Sequence, residues 1–203
     1  LIAVIRNLFI LLCSAMLLAA CGQAKQTNEI RFAITQAPLN LDPRYATDAA
    51  SERVNRLIYQ RLVEFDTTSK PTPSLATWRK ISPIQYRFTL NNDIALFHHG
   101  KPLTSEDVKA TYQSLLALKD SPHAAEFRNI NDINIVNQQT LDFELTVADT
   151  HFPEKLIIGV LPKDLIEQQH DFTHKPVGNG LFEFVFWERE LTLKRLSDGQ
   201  VLM

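Results

Sequence analysis

Hydrophobic and polar positions divide the 203-residue chain into two unlike parts. From Leu8 to Ala20 apolar residues run on with only Cys13 and Ser14 among them. From Gln23 onward they alternate with polar residues or recur at helical spacing. Alternation predicts strands over Glu29–Thr35 (EIRFAIT), Gln85–Leu90 and Leu62–Phe65. It also predicts a hairpin of Asp132–Val136 and Thr140–Val147 around Asn137-Gln138-Gln139. A last pair, Leu181–Trp187 and Leu191–Leu196, is joined by a tight turn at Glu188–Glu190.

Helical spacing occurs twice. Asp48 can cap a helix through ASERVNRLIYQRL, with Val54, Leu57, Ile58 and Leu62 as its apolar stripe. Thr104 stands where a second cap belongs, and Asp107, three residues on, completes a capping box. Val108, Tyr112, Leu115 and Leu116 then mark the buried face. Between these elements, QAPLNLDPRYATD and KPTPSLATW are proline-containing connections, and Phe152–Val160 and Pro162–Gln169 are helical or helix-turn segments. Strands outnumber helices and are not regularly interleaved with them, which predicts a mixed α+β fold and argues against a doubly wound one. The final strand ends seven residues before Met203, so its sheet is expected to need a further partner, and the chain reads as truncated.

The N-terminal run has its own chemistry. A single charge, Arg6, precedes an apolar stretch too short for a comfortable membrane span, the pattern of a secretory signal. Leu18-Ala19-Ala20-Cys21 resembles the bacterial lipobox, which implies cleavage before Cys21 and acylation of its thiol. Several acyl chains, at about 0.8 kcal/mol per buried methylene, would anchor the chain to a membrane. Gly22 in place of Asp favours outer-membrane sorting in a Gram-negative cell. With Cys13 removed and Cys21 acylated, the mature chain keeps no cysteine, which rules out a disulfide framework or a Cys-ligated zinc site.

A net charge of −2 without a basic stripe excludes a nucleic-acid partner. Catalytic signals are missing too: there is no Gly-x-Ser-x-Gly elbow and no glycine-rich phosphate loop. In FHHGKPLTSEDV the adjacent His98 and His99 point to opposite sides of an extended chain, and both acidic residues serve the helix start, so no metal is expected. His170 and His174, in a loop beside Pro176, read as solvated surface. Phe182, Phe184 and Phe186 read as the buried face of one strand, with Trp187 at its rim. Neither a catalytic residue nor a cofactor is expected; the pattern points to binding outside the cytoplasm.

Several blocks, in order, resemble the bacterial extracellular solute-binding proteins of family 5, the peptide/nickel type. Leu41-Asp42-Pro43 is similar to the family's early L-D-P. Ile58–Val63 with Phe65-Asp66, and Leu75–Trp78 with Tyr86–Leu90, are similar to its next two blocks. Phe97–Val108 resembles F-H-[DN]-G-x-P-[LF]-T-A-x-D-V, with His99 as a departure. Pro162-Lys163 is similar to a V-P-K segment, and Pro176–Gly180 with Phe182 resembles P-[VI]-G-T-G-P-[YF], with Asn179 and Leu181 as departures.

The resemblance implies a two-lobed periplasmic receptor that closes on oligopeptides or related solutes and delivers them to an inner-membrane ABC permease. It divides the chain into a lipoprotein signal peptide (1–20), a tether after Cys21 (21–28) and a partial solute-binding lobe I (29–203), with the second lobe absent. It also implies that Thr35, Gln36, Ala37 and Pro38 run beside the bound peptide's backbone. His123–Phe127 falls where nickel-type members bring side chains toward the cleft. The alternatives left open are a transport-inactive lipoprotein fragment and a nickel- or haem-type binder on the same fold.

Overall fold

In the computed structural model of the protein, residues 29–30, 34–94, 96–188, 190–199 and 201–202 are described. The signal segment, Cys21 and the tether lie outside them. The elements in chain order are β1 (Glu29–Ile30), α1 (Ala49–Ile58), β2 (Val63–Phe65), β3 (Pro71–Pro73), β4 (Ala76–Ser82), β5 (Gln85–Leu90) and α2 (Ser105–Ala117). They continue with β6 (Ile130–Asn137), β7 (Thr140–Leu145), α3 (Lys163–Glu167), β8 (Phe182–Trp187), β9 (Leu191–Arg195) and β10 (Val201–Leu202). The fold is mixed α+β, as the sequence predicts.

Two four-stranded sheets organise it. In the first, antiparallel and in the order β4-β5-β7-β6, alternation sends Tyr86, Phe88 and Leu90 of β5 and Leu141, Phe143 and Leu145 of β7 inward. Helix α2 lays Val108, Tyr112 and Leu115 on that face, while Leu116 is only half-buried. Phe143 sits edge-on to Phe88 at 5.5 Å and to Tyr112 at 5.6 Å, geometries that suit the ring quadrupole. On the outer face Arg87 grips Asp142 with two 2.7 Å hydrogen bonds, which hold that carboxyl below the usual carboxylate range.

The second sheet, in the order β1-β10-β9-β8, packs Phe182, Phe184, Trp187, Leu191 and Leu193 against α1 residues Val54 and Ile58 and against Tyr59 just beyond its end. The partner anticipated for β9 is β10, which is itself flanked by a parallel β1.

Several elements differ from the sequence reading. The helix read through Leu62 stops at Ile58, because Tyr59 is extended (φ −117°, ψ 141°) and the next residues pair elsewhere. Arg61 bridges Gly159, and the Val160 N–H donates to the Gln60 carbonyl at 3.0 Å. Tertiary pairing there outweighs helix propensity.

The proline-rich connection is structured. Pro71–Pro73 pairs with β2, and the stretch from Ala76 begins β4. Prolines are tolerated in β3 because a strand with one neighbour has a free side that needs no N–H donor.

A bulge between Phe184 and Phe186 resets the alternation of β8. Trp187 therefore turns inward beside Phe182 and Phe184, and Phe186 turns out, 49% exposed. Lastly, Phe152–Val160 is one 3-10 turn over Phe152–Lys155 followed by irregular chain with a single bridge at Gly159, and only Lys163–Glu167 of the next segment is helical.

Candidate ligand-binding site

Residues 34–48 form the loop that carries four of the expected site residues. Thr35, Gln36 and Ala37 are exposed, and their main-chain groups have no hydrogen-bond partner among the described residues. The chain is then pinned. Pro38 is buried, and the N–H groups of Leu39 and Asn40 donate to Ser51 Oγ at 2.9 and 3.1 Å. Ser51 was invisible as a loop anchor in the sequence, where it stands as an ordinary first-turn helix residue. Asp48 caps α1 as read, accepting from the Ala50 and Ser51 N–H groups.

Leu41-Asp42-Pro43 is a clamp and is itself buried. Asp42 accepts from Arg44 Nε at 3.0 Å and Nη2 at 2.7 Å, and Arg44 Nη1 reaches Ser114 Oγ at 3.1 Å. The Arg44 guanidinium also lies over the Phe172 ring, 5.5 Å from its centre. Ser121 Oγ donates to the Arg44 carbonyl, and His123 Nε2 donates to the Ala46 carbonyl at 2.7 Å. His123 is thus committed to holding this loop. Phe127, at the other end of HAAEF, is in the core against Tyr112.

The FHHG block is tied to a different segment, residues 178–180. The His98 N–H donates to the Gly178 carbonyl at 2.8 Å, and its ring Nε2 to the Gly180 carbonyl at 3.1 Å. Since a carbonyl only accepts, Nε2 carries the proton and Nδ1 is bare, buried and without a partner among the described residues. Gly180 N–H in turn donates to the Ile58 carbonyl at 2.7 Å. Asn179 replaces the family's threonine with a clasp: Oδ1 accepts from the Gln60 N–H at 3.2 Å, and Nδ2 donates to Gln60 Oε1 at 2.8 Å. His99 packs edge-on against Phe97, with Nε2 3.4 Å from Asp164 Oδ1, which Lys101 also meets at 2.6 Å through Oδ2.

Asp107 does more than the capping box requires. One oxygen accepts from the Thr104 N–H at 2.8 Å, and the other from the Lys163 N–H at 2.8 Å, joining the starts of α2 and α3. Thr111 Oγ1 accepts from the Leu161 N–H beside it at 2.9 Å.

Desolvation holds the His98 imidazole below its ordinary value of 6.5, against the opposing pull of the Gly180 carbonyl and Glu183. The unfolded chain therefore takes up this proton first. Stability is expected to be insensitive to His98 above pH 6.5 and to fall as pH drops below it. His98→Gln should flatten that part of a pH–stability curve measured by urea unfolding, and an unchanged slope would contradict this assignment. Among the described residues no group of three or more His, Cys, Asp or Glu is placed to hold a metal ion.

The family model for bacterial extracellular solute-binding proteins, family 5 Middle, matches residues 70–198. The chain belongs to this family. It is a family of bacterial extracellular solute-binding proteins. Among curated relatives the chain is similar to the HTH-type transcriptional regulator SgrR of Escherichia coli (strain K12), at 27% identity over 178 residues. That match covers 84% of this chain and 31% of the regulator. It is also similar to the uncharacterized protein YhjP of Bacillus subtilis (strain 168), 33% identical over 105 residues, which cover 50% of this chain and 18% of YhjP.

Among solved structures, NikZ from Campylobacter jejuni in complex with Ni(L-His) superposes with a TM-score of 0.73 at 25% identity, covering 89% of this chain and 39% of NikZ. The oligopeptide-binding protein AppA from Bacillus subtilis, in complex with a nonapeptide, has a TM-score of 0.77 at 21% identity and is covered to 40%. The chain thus spans about two-fifths of these solved structures and under a third of the curated relatives.

Proposed function

We propose that this chain is the ligand-receiving part of a lipid-anchored extracytoplasmic receptor that captures oligopeptides and passes them to an ABC import permease. The observation that supports it is the run Thr35-Gln36-Ala37. Its residues are exposed and their N–H and C=O groups have no hydrogen-bond partner among the described residues, on a loop whose next residues are fixed to Ser51. An extended peptide laid along it gains main-chain hydrogen bonds that do not depend on its sequence. Pro38, buried and without an N–H, marks where that pairing ends. A second lobe closing over the peptide would supply the hinge motion by which such receptors sequester a ligand.

Two experiments test this reading. Native mass spectrometry of the purified full chain is expected to show retained species with masses of amino-acid polymers. Retained nickel without peptide would favour the alternative suggested by the likeness to NikZ. For the anchor, Cys21→Ser is expected to leave the precursor without acyl chains and release the protein from washed membranes. A variant that stays bound would overturn the lipobox reading.

A further inference from the structure

Asn179-Gly180 is the one Asn-Gly pair in the sequence. An asparagine before glycine is prone to cyclise: without a Cβ, the glycine nitrogen turns easily onto the asparagine side-chain carbon. The family pattern has threonine at this position, so the chemistry is a property of this chain.

The fold holds both reacting groups. The nucleophile is the Gly180 nitrogen, whose N–H donates to the Ile58 carbonyl at 2.7 Å. The electrophile is the Asn179 carboxamide, held at both ends by Gln60. Its Oδ1 accepts from the Gln60 N–H at 3.2 Å, and its Nδ2 donates to Gln60 Oε1 at 2.8 Å. Asn179 is 1% exposed. The flanking carbonyls are fixed as well, Gly178 by the His98 N–H at 2.8 Å and Gly180 by the His98 ring at 3.1 Å. A nitrogen committed to one carbonyl and an amide clasped elsewhere do not meet until the segment opens.

We propose that Asn179 is a masked deamidation site, guarded by Gln60, which marks each lasting opening of the 178–180 segment irreversibly. In the open segment the Gly180 nitrogen bonds to Asn179 Cγ while the Cγ–Nδ2 bond breaks, and the Gly180 amide proton leaves with Nδ2 as ammonia. Water then opens the cyclic imide by adding its hydroxyl to one of the two carbonyl carbons and returning a proton to the nitrogen. Attack at Cγ gives aspartate, and attack at the main-chain carbon gives isoaspartate.

Neither product refits the closed segment. Aspartate lacks the Nδ2 donor for Gln60 Oε1 and sets a carboxylate at a buried position. Isoaspartate adds a carbon to the backbone between Gly178 and Gly180. A Cβ on either glycine would already collide with the Ile58 carbonyl, so the longer chain has no room. The proposal is independent of the peptide reading.

Peptide mapping by mass spectrometry, on the full chain incubated at neutral pH, tests it. The amide at Asn179 is expected to persist in the native chain and to be lost in urea. Gln60→Ala removes the acceptor of Nδ2 and should speed the loss about tenfold without urea. Gln60→Glu keeps an acceptor there and should stay within about twofold of the unsubstituted chain. The deamidated fraction, separated by ion exchange, should unfold at a lower urea midpoint. An amide that survives in urea, or one lost equally fast in the native chain, would overturn the proposal. Equal rates in Gln60→Ala and Gln60→Glu would overturn the guarding role, as would the same acceleration in Phe88→Leu, which loosens the other core cluster.

Discussion

Gly178→Ala is expected to destabilise the protein by about 3 kcal/mol or more, the upper end of what overpacking a core produces. A Cβ on Gly178 would sit 2.1 Å from the Ile58 carbonyl oxygen and 2.8 Å from Tyr59 Cδ1. Neither neighbour can give way cheaply. The Ile58 carbonyl is backbone that accepts the Gly180 N–H, and Tyr59 is fully buried in the second core cluster. The glycine is required by the close approach of two segments of the chain and not by its dihedral angles.

Gly100 is the contrasting case. Its φ is +89° and no atom lies within 4 Å of the position a Cβ would take, so Gly100→Ala should cost only the left-handed strain of about 1 kcal/mol. Urea-unfolding midpoints of the two variants measure the difference directly. Equal midpoints would mean that the contact between Gly178 and the end of α1 is not as tight as described.

Asp107→Ala should also be damaging, at about 2 kcal/mol, because it strands two half-buried N–H donors, each costing about 1 kcal/mol, the low end of the range for an unsatisfied donor. The donors belong to Thr104, at the start of α2, and Lys163, at the start of α3. The loss is therefore partly long-range, across 56 positions of sequence. Asp107→Asn keeps one oxygen acceptor and should lose roughly half as much. The diagnostic reading is amide exchange at Lys163. It should accelerate in Asp107→Ala together with that of the first turn of α2. An acceleration confined to α2 would show that Asp107 is a local cap only.

How far the sequence foretold this arrangement depends on the range of the interaction. Caps were legible, because Asp48 and Thr104 with Asp107 act within three or four residues. Alternation located β5 and β7, because each buries one face against α2. The same rule misplaced Phe186, since a bulge at Val185 shifts every later residue of β8 to the opposite face. The end of α1 was read four residues too late, because Gln60 and Arg61 are taken over by Val160 and Gly159, about a hundred residues away. Pro71–Pro73 read as a connection because an edge strand with one neighbour carries no local mark.

At the candidate site, the exposed run Thr35–Ala37 could be placed by family resemblance. Its anchor at Ser51, the His98 link to the Gly178–Gly180 segment and the Asn179 clasp on Gln60 could not. Each joins groups that meet only when the chain is folded. The two histidines of FHHG illustrate this: one is a neutral hydrogen-bonding post for a glycine loop, and the other packs on Phe97 near Asp164. Neither is placed in a metal cluster among the described residues.

The central claim is that main-chain groups of residues 35–37 pair with a peptide. Isothermal titration of the full chain with a peptide it retains, compared between Gln36→Pro and Gln36→Ala, tests this most directly. Proline removes the N–H at that position, whereas alanine removes the side chain and keeps the backbone donor. Gln36→Pro is expected to weaken binding about tenfold, equivalent to about 1.4 kcal/mol, with unfolding midpoints unchanged. Gln36→Ala should weaken it by about twofold or less. Equal affinities for the two variants would contradict strand-like pairing at this loop.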